Sequence, residues 1–530
     1  MRFILIALLT STLGAQQTHQ HEDSDHSGHL GTVEWPTSAT SAAHAHFIRG
    51  VLYLHSFHYD EAAKAFREAQ NADPGDVMSY WGEAMSYTHP VWNEQDTTAA
   101  RAALRRLAPT TQARLAKART DRERAWIQAA DILYDGNRPK AQRDTLYSQA
   151  MEKLHRARPA DPEAATFFAL ALLGLNQGQR DTVTYARAYR IVDSVFRNHP
   201  DHPGAAHYLI HAVDDPDHAK LGLDAARRYS SIAPGAGHAQ HMTSHIFIAV
   251  GMWDEMVAAN ERAQATIPFL SAHVASWLVY GLIQQGRYRE ASRWADSMYA
   301  QASKSGGRAG ASWFAVADMA AAWNGSTHQW SDRWGKLRAD TTGNDATVAL
   351  LGIGLGAAGR GERAVADSML SGITALRKME TTRLDTLTNP QPWDIQWYGI
   401  ARARENILRG MILRSEGKRE QAFEAFRAAA AIDDSLPVEF GPPNTYKPPH
   451  EAAGEVLLEM KRFPEAEQEF RRALARTPRR PSALIGLARA TRAQGKSEAR
   501  AHYIELTRIW KRADSGIAEV EEARAFANAR

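Results

Sequence analysis

From Ala43 onward the chain repeats one pattern: apolar side chains recur at the three- and four-residue spacing of a helix face, and short turns interrupt them. In FIRGVLYLHSFHYDEAAKAFREAQNADP, small Gly50 and Ala62 let two helices approach, Tyr53 and Phe66 fill the space beside them, and Pro74 stops the second helix because it lacks an amide donor. Gly454, Ala466, Phe470, Ala473 and Pro478 repeat that arrangement 404 residues later. Gly410, Ala422, Phe426 and Ala429 repeat it without the closing proline. Between these ends, Pro162, Pro200, Pro234 and Pro268 stand 38, 34 and 34 residues apart, each between two helical runs. The pattern predicts an all-α fold, an α-solenoid of helix-turn-helix repeats, over most of residues 43–512.

The 34-residue period and the Gly, Ala, Phe and Pro positions resemble the tetratricopeptide repeat (TPR) family. The phrases LHSFHYDEAAKAFREAQNADP, YWGEAMSYTHPVWNE, HYLIHAVDD, HAQHMTSHIF and FGPPNTYKPPHEAAGEVLLEM are similar to those of a group of exported bacterial TPR proteins. The resemblance implies a helical-repeat fold, export, and a concave groove for a peptide or protein partner. It implies no particular reaction.

The N-terminus is read as a signal peptide over residues 1–15, with Arg2, the apolar run Phe3 to Leu9 and cleavage near Ala15. Residues 16–42 are a polar leader with His19, His21, His26 and His29, expected to be disordered and to serve as linker or loose chelator. An N-terminal array is expected over 43–303, with a weaker consensus from Thr97 to Arg143, and an irregular helical connection over 304–344. TPR-like helices should follow over 345–439, C-terminal units over 440–512 and a tail over 513–530, with FGPPNTYKPPH read as a loop between subarrays. No later stretch approaches the roughly 20 apolar residues of a membrane span. The mature protein is therefore expected to be periplasmic or secreted, without an integral membrane segment.

Charge changes the picture little. The 63 Lys and Arg are interspersed among 60 Asp and Glu, which suits surface solvation and predicts no nucleic-acid partner. Cysteine changes it more, because there is none: thiolate metal sites and cysteine nucleophiles are excluded, and any metal must take nitrogen and oxygen ligands.

Histidine supplies the candidate chemistry. His207 and His211, and again His241 and His245, are four apart, so each pair shares one helix face, and the second pair follows the first by 34 residues. His238 extends the second stripe, and Asp214 and Asp215 the first, as carboxylates that could ligate or orient imidazoles. The spacing predicts one cluster of four imidazoles able to hold a divalent Zn, Cu or Fe ion, in competition with a polar interior or an anion-binding groove. By resemblance both pairs occupy the groove-facing fifth and ninth positions of a first helix. Trp81, Glu83 and His89, beside Trp92, and the C-terminal pair Glu451 and Glu455 are the further groove candidates. No phosphate-binding glycine loop, serine-hydrolase elbow or dinucleotide fingerprint is present. Three functions fit: a partner-binding scaffold carrying a metal site, a metal-dependent enzyme centred on the histidines, and a metal carrier that uses the leader.

Overall fold

The computed structural model describes residues 29–175, 180–304, 311–333, 346–388, 390–438 and 440–528. The fold is all-α, a solenoid of 25 α-helices among the described residues. The sheet they contain is a two-residue ladder, Thr88–His89 against Glu94–Gln95, around the short turn Pro90–Trp92. Nearly every helix packs on the next, and first helices of successive pairs also touch, as Pro203–Val213 touches Gly237–Ala249.

The repeated glycines explain this packing. A methyl on Gly50 or Gly82 would stand 2.7 or 2.3 Å from the Phe66 ring, and the same holds for Gly454 and Gly486 on Phe470, at 2.9 and 2.2 Å. One phenylalanine thus fills the hollow between two backbones. Helix starts are capped locally: the Asp76 carboxylate accepts from Met78 and Ser79 N–H at 3.1 Å each, and His202 Nδ1 accepts from Ala205 N–H at 3.2 Å. The expected proline register needs one correction. Helices begin at residues 162, 203 and 237, so Pro162 opens a helix while Pro200 and Pro234 lie three residues ahead of one.

Residues 29–42 are a packed segment with alternate residues in the core rather than a disordered leader. Leu30, Val33 and Trp35 are buried. The Trp35 ring lies 4.7–5.8 Å from Phe47, Trp81, Trp126 and Phe167, which come from four different helices. Thr32 N–H reaches the Asp201 carbonyl, and Ser38 N–H donates to Glu123 at 2.7 Å. The segment therefore lies among the helices of the first units, where one tryptophan gives enough apolar area to fix a polar stretch. The signal-peptide reading and His19, His21 and His26 fall outside the described residues.

Two other boundaries change. Within 304–344 a regular helix, Ala311–Ser326, packs on its neighbours on both sides. Within 513–530 the helix Ala518–Asn528 buries Val520 and Ala523 against the preceding one. The last units return to the middle of the chain. Trp253 Nε1 donates to the Arg479 carbonyl at 3.0 Å, Trp510 Nε1 to Gln284 at 3.0 Å, and Asp514 N–H to Gly286 at 2.9 Å. Gly251, at φ +68°, is required there, since a Cβ would meet the Pro478 carbonyl oxygen at 2.3 Å.

Candidate metal centre

Three consecutive first helices build the site: Pro203–Val213, Gly237–Ala249 and Ala272–Gln284. Fifth and ninth residues of the first are His207 and His211, and those of the second are His241 and His245. Second residues of the second and third are His238 and His273.

The four paired imidazoles do not make a single group. They divide into two triads, His207–His211–His238 and His241–His245–His273, within each of which one ligand nitrogen per residue lies within 4.8 Å of the others. Each triad takes a pair from one helix and one residue from the next. A third group, His211–Asp214–His245, joins them. His207, His211, His241 and His245 are buried; His238 and His273 are half-buried.

Hydrogen bonds on Nδ1 fix which nitrogen faces inward. His207 Nδ1 donates to the His55 carbonyl at 2.7 Å. His241 Nδ1 donates to Asn260 Oδ1 at 2.7 Å, and Asn260 Nδ2 donates in turn to Met256 O, which sets the amide's orientation. His245 Nδ1 donates to Asp214 Oδ2 at 3.2 Å. Asp214 is itself held by Arg180 Nη1 at 2.6 Å. Against a burial penalty that would raise it, Arg180 and the imidazoles of His211 and His245 keep the Asp214 carboxyl far below its usual range.

The inward nitrogens then stand close together. His245 Nε2 and His241 Nε2 are 3.3 Å apart, His273 Nε2 and His241 Nε2 2.9 Å, and His238 Nε2 and His207 Nε2 3.3 Å. Burial first, and then the neighbouring imidazoles, hold His241, His207 and His238 well below the ordinary histidine range. Burial also lowers His245, with Asp214 opposing. All four are therefore neutral near pH 7. With both Nδ1 atoms donating, His241 and His245 present lone pairs to each other across 3.3 Å. Nitrogens about 2.0–2.1 Å from a tetrahedral ion stand about 3.3 Å apart, so the spacing is that of two ligands of one ion. His211 Nε2, in the first triad, is buried and without a hydrogen-bond partner.

Aromatic rings wall the centre. Phe57 lies 4.2 Å from His207 and 5.6 Å from His238, and Trp92 lies 6.2 Å from His238. Trp277 stacks on His245 at 4.7 Å, and Phe440 stacks on it at 4.9 Å. The 440–450 stretch is thus a wall of the centre as well as a connection between helices.

A neighbouring histidine group has a different character. Glu163, fully buried, accepts from His55 Nε2 at 2.9 Å and stands 3.2 Å from His202 Nε2. His202 Nδ1 accepts a backbone N–H, so its proton is on Nε2, facing the carboxylate. His55 Nδ1 meets the Tyr208 hydroxyl at 3.1 Å. Against burial, His55 and His202 hold the Glu163 carboxyl well below its usual range. The His55 proton satisfies one carboxylate oxygen without an ion, while His202 Nε2 and Glu163 Oε1, 3.2 Å apart, make no hydrogen bond.

The other groove candidates are occupied elsewhere. Trp81 is fully buried against Trp35, Trp126 and Phe167 and presents nothing to a groove. Glu83 is buried and bonded to Gln70 at 2.6 Å and to Arg106. Glu451 and Glu455 are covered by the 440–450 stretch, whose Lys447 pairs with both, and they also pair with Arg480 and Arg414 respectively. His89 is half-buried, stacked on Tyr59 at 3.9 Å and 3.2 Å from Glu94. His273, Asn260 and Arg180 escape a sequence reading limited to a strict 34-residue step. Counting from helix starts would have found His273, because His238 and His273 are both second residues.

With the geometry in view, comparison adds a family likeness. A tetratricopeptide repeat model matches residues 43–76. The chain is similar to that family. No curated protein matches the sequence. Yeast Tom70 matches at 12% identity over 92% of this chain and 94% of that one, with a TM-score of 0.29. The human IFIT1 dimer with m7Gppp-AAAA matches at 14% identity over 90% of this chain and 92% of that one, with a TM-score of 0.37. Likenesses at these scores carry no argument about function. Among the described residues no helix is long and apolar enough to cross a membrane.

Proposed function

We propose that this protein is an exported helical-repeat scaffold for a peptide or protein partner, and that it holds a divalent transition metal at the histidine centre. The observation that carries the metal reading is the pair His241 and His245, two neutral buried imidazoles whose Nδ1 protons are committed outward and whose Nε2 lone pairs face each other at 3.3 Å. Leaving such lone pairs opposed in a low-dielectric interior is costly, whereas a cation between them turns repulsion into ligation. Nitrogen donors in this number suit Zn, Cu or Fe. The scaffold reading rests on the architecture, which offers extended surfaces to partners. Leu30, Val33 and Trp35 pack among the helices of the first units, so a peptide entering there has to displace them.

The metal reading is tested by elemental analysis of untagged full-length protein in which His19, His21 and His26 are replaced by Ser, after dialysis against a weak chelator. Retained Zn, Cu or Fe that is lowered or lost in His241→Ala supports the centre; no retained metal removes it. The export reading is tested by the mass of the mature N-terminus, expected to begin near residue 16.

A further inference from the structure

We infer that the centre is two metal sites, one repeat apart, and that their open positions together take a small anionic oxygen or nitrogen ligand. This rests on the metal reading above. The first site is His207, His211 and His238; the second is His241, His245 and His273. They are the same motif used twice: fifth and ninth residues of one first helix, and the second residue of the next. Successive first helices of a repeat stack are related by nearly the same rotation and translation, so a motif that converges once converges again one unit later.

The orienting bonds are also separate. His207 is fixed by the His55 carbonyl, and His241 by Asn260. The buried, unpartnered His211 Nε2 belongs to the first triad, while the opposed lone pairs of His241 and His245 belong to the second. Each triad therefore carries its own sign of a missing cation.

Three histidines leave a coordination position open in a four-coordinate ion. The half-buried member of each triad comes from the following helix, which makes that side the less covered one of each triad. Charge then decides what fills the opening. Six imidazoles, neutral when they ligate, bring no negative charge, and Asp214, the carboxylate between the triads, is already paired with Arg180. Two divalent ions held this way leave buried positive charge uncompensated, which favours hydroxide or another small anion as the exogenous ligand. Phe57, Trp92, Trp277 and Phe440 wall the space and lower the local dielectric, which strengthens that preference.

The test is a Co²⁺ titration of the full-length, untagged apoprotein in the His19→Ser, His21→Ser, His26→Ser background, by equilibrium dialysis and visible absorption. The expected result is about two ions per chain, with His238→Ala and His273→Ala each keeping about one, and azide shifting the cobalt bands of both single-site variants. Far-UV circular dichroism checks that the variants remain helical; if either loses helix, His238→Gln and His273→Gln replace them. A single ion lost in both variants would overturn the two-site inference while leaving a metal centre. Two ions indifferent to azide would overturn the open-position inference. No bound ion would overturn the metal reading itself.

Discussion

His55 meets Glu163 with an N–H bond and His202 Nε2 stands 3.2 Å from the same carboxylate, while His241 and His245 meet each other with lone pairs. Both groups are buried, and both hold their imidazoles in place through a second partner. The difference lies in where the outward bond sits. At His202 a backbone N–H occupies Nδ1, so the proton is on Nε2 and faces the carboxylate. At His241 and His245 side-chain oxygens occupy Nδ1, so the proton faces away and the inward nitrogen is bare. A histidine cluster is thus structural or metal-ready according to the partner of the far nitrogen, and counting histidines cannot tell the two apart.

The largest way to break this comparison is to remove the ion. A tight chelator should lower the stability of the metal-loaded protein by about 4 kcal/mol if free metal had been a thousandfold above Kd. It should leave the His207→Ala, His241→Ala double variant, in which both triads are broken, unchanged, as read by urea unfolding. Next, Glu163→Ala removes the buried carboxylate that His55 bonds and His202 faces and should cost about 3 kcal/mol, by the same amount with and without chelator. A chelator-dependent cost would move that group into the metal class. Smaller still, Asn260→Leu keeps the volume beside His241 but removes its orienting acceptor. Metal affinity should fall about 10–100-fold in a competition titration, with the His55 group unaffected.

The smallest effect concerns a histidine of a third kind, half-exposed His328, which side-chain bonds to Glu455 and Glu519 raise to about 9. A histidine raised on folding adds stability that is complete below its unfolded value and lost as pH rises through its folded value. The calorimetric Tm advantage of the wild type over His328→Gln should therefore shrink between about pH 6.5 and 9 and vanish above. An advantage that persists at pH 10 would contradict this.

Much of the fold was legible because its signals are local. Gly50, Phe66 and Gly82 state a packing unit in one stretch of chain, and the same unit returns at Gly454, Phe470 and Gly486. The pairs His207–His211 and His241–His245 were legible for the same reason. What sequence could not show were long-range fillings. A polar stretch reads as solvent-exposed, yet Trp35 anchors residues 29–40 among four helices and buries Trp81, which was expected to face a groove. Lys447 reaches Glu451 and Glu455 only because a proline-rich loop folds back over them. The division into two triads was hidden because its third members come from the next repeat, and because helix starts drift from a strict 34-residue step.

The central claim is that ions sit between the inward nitrogens, and anomalous diffraction at the absorption edge of the retained metal tests it most directly. The account predicts peaks within about 2.0–2.1 Å of the Nε2 atoms of His241 and His245, with His273 as third ligand and a second peak in the His207 triad. Crystals of metal-loaded protein with no peak there, and with His241 and His245 turned so that a proton lies between them, would contradict it.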